Sequence, residues 1–179
     1  AHLCAPDLNA IGFSIPGIPG ITIGHNESIG WGYTNSYADV QDIYIEKANP
    51  ANPEEYLNND RWTNFDTVEE EIGIRGKEPL IKEFQLSNHG PIRESYPVGF
   101  GGFGFFPIEE KFKLAYKSIE QDVDVLETFV ALSLLNRAQN WVEFKKALEH
   151  WVVPSQNVVY ADIEGNIGYL MSGKVPISK

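Results

Sequence analysis

The sequence predicts an α+β chain, and three observations carry that expectation. Short segments of alternating apolar and polar residues, broken by Gly, Pro and Asn turns, run through residues 1–116. Two segments of helical period occupy residues 120–151, and a pair of strand-like segments closes the chain. The 179 residues are 42% hydrophobic and 12% aromatic, enough to bury a core and too apolar for a disordered tail.

In residues 1–48, Ile15-Pro16-Gly17-Ile18-Pro19-Gly20 supplies two Pro-Gly turns, since Pro fixes φ and Gly accepts φ > 0. The β-branched run Ile21-Thr22-Ile23, then Ile29-Gly30-Trp31-Gly32 and Asp42-Ile43-Tyr44-Ile45-Glu46 read as strands. Residues 49–116 change texture. Asn49-Pro50-Ala51-Asn52-Pro53 breaks the chain, Asn58-Asn59-Asp60 signals a hairpin, and Glu70–Arg75 and Ile81–Leu86 alternate like half-buried strands. The glycine-rich stretch Phe100–Phe106 lacks the following Lys-Ser/Thr and helix start of a phosphate-binding loop, so it reads as an apolar loop.

Leu126, Phe129, Val130 and Leu134 fall on one helical stripe, after Asp122 and Asp124, which suit a helix N-terminus. A second helix is expected from Asn140, an N-cap with Glu143 three residues on. Its stripe is Trp141, Phe144, Leu148 and Trp151, and Pro154 follows its end. Val158-Val159-Tyr160 and Ile167–Leu170 flank Glu164-Gly165-Asn166 as a hairpin.

The 25 acidic against 14 basic residues, a net charge of -11, argue against nucleic acid and anionic membrane surfaces as partners. No apolar run approaches the length of a membrane-spanning helix. Cys4 is the one cysteine, which rules out an intramolecular disulfide and reads as a partly buried free thiol. The start at Ala1 without Met and the end at Lys179 lead us to expect a segment of a longer protein.

A nucleophile is hard to find. Ser14 fails the nucleophile-elbow pattern because Pro16 stands where Gly is required, and no His-Glu-x-x-His pair exists. His25 and His89, each beside a glycine, read as hydrogen-bonded structural histidines or as an acid or base. Asn26-Glu27-Ser28 is a formal glycosylation triplet inside a tight turn and is discounted. Asp39 and Asp42, in the polar stretch Thr34–Asp42, either face water or offer about half of the six to eight oxygens that calcium takes.

Three motifs go further. The stretch from Gly12 to Glu46 carries a Pro-Gly turn, Gly24-His25-Asn26, Trp31-Gly32-Tyr33-Thr34 and Asp39-Val40-Gln41-Asp42 before a strand. Asn88-His89-Gly90-Pro91-Ile92 and Tyr160–Tyr169 follow in the same order. Together they resemble the penicillin acylase family, which includes penicillin, cephalosporin and acyl-homoserine-lactone acylases. The resemblance implies an N-terminal-nucleophile amide hydrolase with an αββα core and an inserted antiparallel β-barrel-like module. Residues 1–42 and 117–179 are expected in the core and 43–116 in the insert.

The resemblance also implies autocatalytic processing that exposes a Ser at the head of the larger subunit, upstream of Ala1, so that this chain alone is inert. It assigns the Asn35 backbone N–H to the oxyanion hole, and Ile23, Tyr33, Leu132 and Gln156 to the acyl pocket. It assigns Asp39, the Gln41 carbonyl and Asp42 to a calcium ion. A small amide substrate, a smaller subunit from the same precursor, and a periplasmic or extracellular location follow from it. An exposed core edge leads us to expect self-association of the isolated piece. The alternative is a non-catalytic domain on the same scaffold, binding calcium or a partner.

Overall fold

The computed structural model describes residues 1–93 and 111–177, so the expectation for Phe100–Phe106 falls outside the described residues. The fold is α+β, with two compact units: Ala1–Val40 with Asp122–Lys179, and Gln41–Gln121.

The first unit is an antiparallel sheet backed by two helices. Its strands are β1 (His2–Ala5), β2 (Leu8–Phe13), β3 (Ile23–His25), β4 (Ile29–Asn35), β12 (Gln156–Asp162) and β13 (Ile167–Ser172), side by side in the order β1-β2-β3-β4-β12-β13. Two helices, α1 (Glu127–Leu135) and α2 (Trp141–Leu148), contribute Leu132, Leu135, Phe144 and Leu148 to the buried core, where they meet Ala10, Ile21, Trp31 and Val158 of the sheet side. Gly12 and Gly24 face each other across β2 and β3 so closely that a Cβ on Gly24 would lie 2.2 Å from the Ile11 carbonyl oxygen. The other face of the sheet leaves Ile11, Phe13, Val159, Tyr169 and Met171 exposed.

The α2 cap and stripe match the expectation, but Glu143 accepts from the Gln139 N–H at 2.8 Å, one residue before the N-cap that a capping box uses. The Asn140 side chain accepts from the N–H groups of Val142 and Glu143, both at 3.0 Å, and satisfies two donors of the first turn. Phe144, Leu148 and Trp151 are buried, and Trp141 stacks on Phe144 with a 5.3 Å ring separation. The α1 stripe needs correction. Leu126, Phe129, Val130 and Leu134 are exposed, and the buried residues are Thr128, Ala131, Leu132 and Leu135. The helix is apolar on every side, so periodicity does not choose its face. Packing does, through the small Ala131 and through Thr128 Oγ1, which donates to the Val153 carbonyl at 2.8 Å. Cys4 is corrected too: it is a free thiol exposed on β1.

The second unit contains β5 (Gln41–Asn49), β6 (Asn52–Asn58), β7 (Arg61–Asn64), β8 (Asp66–Ile72), β9 (Leu80–Ser87), β10 (Gly90–Arg93) and β11 (Phe112–Ser118). They form one antiparallel sheet in the order β7-β6-β5-β11-β10-β9-β8. The edge strands β7 and β8 are joined by Phe65 alone, so the sheet must curl until its edges meet. Gln85 on β9 donates to Glu54 on β6 at 2.8 Å across that curl. The Asn59-Asp60 turn has positive φ at both residues, 48° and 63°, as a two-residue hairpin of matching twist requires.

Candidate functional site

Asn35 ends β4 and stands opposite Gln156, the first residue of β12. The next pair outward is Ser36 and Ser155, where the Ser36 N–H donates to the Ser155 carbonyl at 3.3 Å. Hydrogen-bonded and non-hydrogen-bonded pairs alternate along an antiparallel ladder, so Asn35 and Gln156 form a non-hydrogen-bonded pair. The Asn35 N–H is therefore turned away from β12 and left out of that ladder. A backbone donor at a strand end, free of its neighbour, has the chemistry of an oxyanion-hole donor.

Side chains from β12 hold this end. Gln156 Nε2 donates to Asn35 Oδ1 at 2.9 Å, and Asn157 Nδ2 donates to the Asn35 carbonyl at 3.3 Å. The Ser36 and Ser155 hydroxyls meet at 2.5 Å. Ser36, Ser155 and Asn157 carry no local signal of this role, because their partners lie about 120 residues away in sequence. Only the folded sheet brings them together.

The expected pocket residues divide between two faces. Tyr33, Leu132 and Gln156 lie on the helix-covered side of the sheet: Leu132 is in the core, Tyr33 packs against it, and Gln156 is 3% exposed. Tyr33 meets Trp151 edge-on at 5.2 Å, and burial raises its phenol pKa while the Thr22 hydroxyl opposes the shift. Ile23 is on the opposite face. Its β3 neighbour Gly24 is paired with Trp31 on the covered side, and a Cβ at Gly32 would meet Ile23 at 3.8 Å. The structure brings Gln156 to Asn35 and Tyr33 and Leu132 into one core, and it does not bring Ile23 to them.

Asp39, Gln41 and Asp42 are all exposed. Two carboxylates and a backbone carbonyl are hard oxygen donors of the kind calcium takes, fewer than a full shell. Among the described residues, no group of three or more His, Cys, Asp or Glu side chains stands together as metal ligands.

The histidines have structural partners. His25 Nδ1 lies 3.0 Å from the Asn26 carbonyl oxygen. His89 Nδ1 lies 2.7 Å from the buried Glu46 carboxylate, and its ring stacks on Tyr44 at 4.0 Å. The Asn26 side chain donates to the Ala138 carbonyl at 2.7 Å and accepts from the Ser28 and Ile29 N–H groups, each at 2.9 Å. It is engaged in the fold rather than presented for glycosylation.

The whole chain, residues 1–179, matches the family model described as Penicillin amidase. The acyl-homoserine lactone acylase QuiP of Pseudomonas aeruginosa is 31% identical over 186 residues, covering 98% of this chain and 20% of its own length. Penicillin G acylase of Escherichia coli is 27% identical over 175 residues, covering 94% of this chain and 19% of its own length. The solved structure of thermostable penicillin G acylase from Alcaligenes faecalis matches with a TM-score of 0.79 at 27% identity, across 97% of this chain and 29% of that one. The chain thus spans about a fifth of the length of the curated relatives it matches. Sequence and fold agree: the chain belongs to the penicillin amidase family.

Proposed function

We propose that the chain is part of the larger, nucleophile-bearing subunit of an acylase that cleaves the amide bond of a penicillin-like or N-acyl substrate. The observation that carries this reading is the Asn35 N–H at the end of β4, turned out of the β12 ladder while β12 side chains hold the residue. An amide carbonyl attacked by a Ser becomes a tetrahedral oxyanion, and removing one preorganised donor to such an oxyanion costs on the order of 100- to 1000-fold in kcat. The Ser comes from a part of the full-length protein outside these residues. Its own α-amino group, with a pKa of about 8, takes the hydroxyl proton and returns it to the leaving amine. Water then hydrolyses the acyl-enzyme.

Tyr33 and Leu132 belong to the wall behind the acyl group in this reading, with Gln156 at its polar edge and Ile23 reached from the other face of the sheet. That other face, with Phe13 and Tyr169 exposed, suits the second sheet of an αββα sandwich. Asp39, Asp42 and the Gln41 carbonyl contribute to a structural calcium site completed from elsewhere in the full-length protein, whose smaller subunit closes the pocket. The family's common export supports a periplasmic or extracellular location.

Intact mass and N-terminal sequencing of the expressed full-length protein test the reading. The expected result is two chains, the larger beginning with Ser and containing residues 1–179, together with release of amine from an N-acyl substrate. A single uncut chain without amide hydrolysis overturns it. For the metal, chelation should lower the melting temperature of the full-length protein, and Asp39→Ala should abolish that response. A melting temperature indifferent to both removes calcium from the account.

A further inference from the structure

Gln156 is almost completely buried, at 3% exposed, and one bond orients its amide: Nε2 donates to Asn35 Oδ1 at 2.9 Å. Its Oε1 is buried without a partner among the described residues, so nothing on the acceptor side competes for the orientation. Asn35 itself is exposed at a strand terminus, and strand termini fray unless tied. In a non-hydrogen-bonded pair the two backbones offer each other nothing, while their side chains make their closest approach. The amide–amide bond is thus the side-chain tie across this pair.

We propose that Gln156 is a positioning residue for the reaction, acting through the Asn35 side chain to fix the direction of the Asn35 N–H. This rests on the reading of that N–H as the oxyanion donor. Two other bonds tie this turn to β12: the Ser155 carbonyl accepts from the Ser36 N–H, and Asn157 Nδ2 donates to the Asn35 carbonyl. The Gln156 bond reaches the Asn35 side chain itself. Side-chain identity at position 35 then matters although the catalytic donor is backbone, because the carboxamide is the handle by which β12 grips it.

Misplacing a catalytic group by about 1 Å costs on the order of 100-fold, which sets the scale of the test. In the full-length, processed protein, kcat and KM for an N-acyl amide are measured per active site, counted by the acylation burst. Gln156→Leu keeps the volume and removes the donor; Asn35→Ala removes the acceptor. Each is expected to lower kcat roughly 10- to 100-fold with KM changed less than about threefold, since the donor it orients meets the oxyanion only in the transition state. The double variant is expected to be no slower than the slower single, because both remove one bond. Should Gln156→Leu fail to fold, Asn35→Ala, whose side chain is exposed, carries the test. An active wild type with kcat indifferent to these changes, or losses that multiply in the double variant, overturns this proposal alone. A wild type that hydrolyses no amide overturns the acylase reading and the proposal with it.

Discussion

Residues 1–40 and 122–179 bury Ile21, Leu132, Leu135, Phe144, Trp151 and Val158 in one cluster, with helices laid on a sheet. Among the described residues of 41–121, the buried apolar side chains are Ala48, Tyr56, Phe65 and Ala115, and β8 has no buried residue. The second unit relies on its ladders and on ties between polar or aromatic groups. Tyr56 stacks on Phe65 at 4.6 Å, the Lys113 ammonium sits 4.5 Å from the Phe65 ring centroid, and Glu46 holds His89. A helix-backed sheet concentrates its stability in a few large residues. A curled sheet spreads it along its strands, so single truncations should weigh differently in the two units.

The largest expected effect tests that difference directly. Phe144→Ala should destabilise the first unit by about 3–5 kcal/mol, whereas Phe65→Ala should cost the second about 2–3 kcal/mol. Chemical denaturation, with hydrogen exchange read separately in each unit, checks both values. Equal costs would break the comparison.

Next comes Asn136, which is buried and brackets Ile21: its Oδ1 accepts from the Ile21 N–H at 2.6 Å and its Nδ2 donates to the Ile21 carbonyl at 2.8 Å. Asn136→Ala orphans two buried backbone groups and should cost roughly 2–4 kcal/mol in the same assay. A loss under about 1 kcal/mol would mean that water or a neighbour replaces the side chain.

The smallest effect concerns the β12–β13 hairpin and is read by pH titration. Burial, helped by the hydrogen bond to Asp162 and by its charge, pushes the Tyr160 phenol up to about 12. A folded pKa above the unfolded one means that the contribution is complete below about pH 10 and is lost as the pH rises toward 12. Tyr160→Phe should flatten that alkaline loss. Asp162 is lowered, chiefly by the Asn166 side chain, so its contribution is present above about pH 4 and fades as the pH falls further. Asp162→Asn should remove this acid response, followed by the NMR shifts of the Glu164 and Asn166 amides, which both donate to Asp162 Oδ1.

What could be read from the sequence was what depends on neighbours in the chain. The Asn140 cap, the Asn59-Asp60 turn and the hairpin around Gly165 follow from residues within a few positions of one another, and the structure has them. The face of α1 could not be read, since Leu126 and Leu132 are equally apolar and only packing separates them. Curling of the second sheet was legible only as a resemblance. Its cause, two edge strands sharing Phe65, requires the strand order. At the candidate site the sequence supplied the polar turn after Thr34 and the motif around it. The grip of Gln156 on Asn35 spans 121 residues and appears only once β4 and β12 are paired.

The pairing of Gln41 with Ser118 bears on chain closure. The second unit begins and ends on adjacent antiparallel strands, so the chain leaves and returns at neighbouring points. Lengthening or exchanging what lies between such points adds little closure entropy, because that cost grows only logarithmically with the excursion. The segment between Val40 and Asp122 can thus lengthen or shorten between neighbouring ends at a small entropic cost.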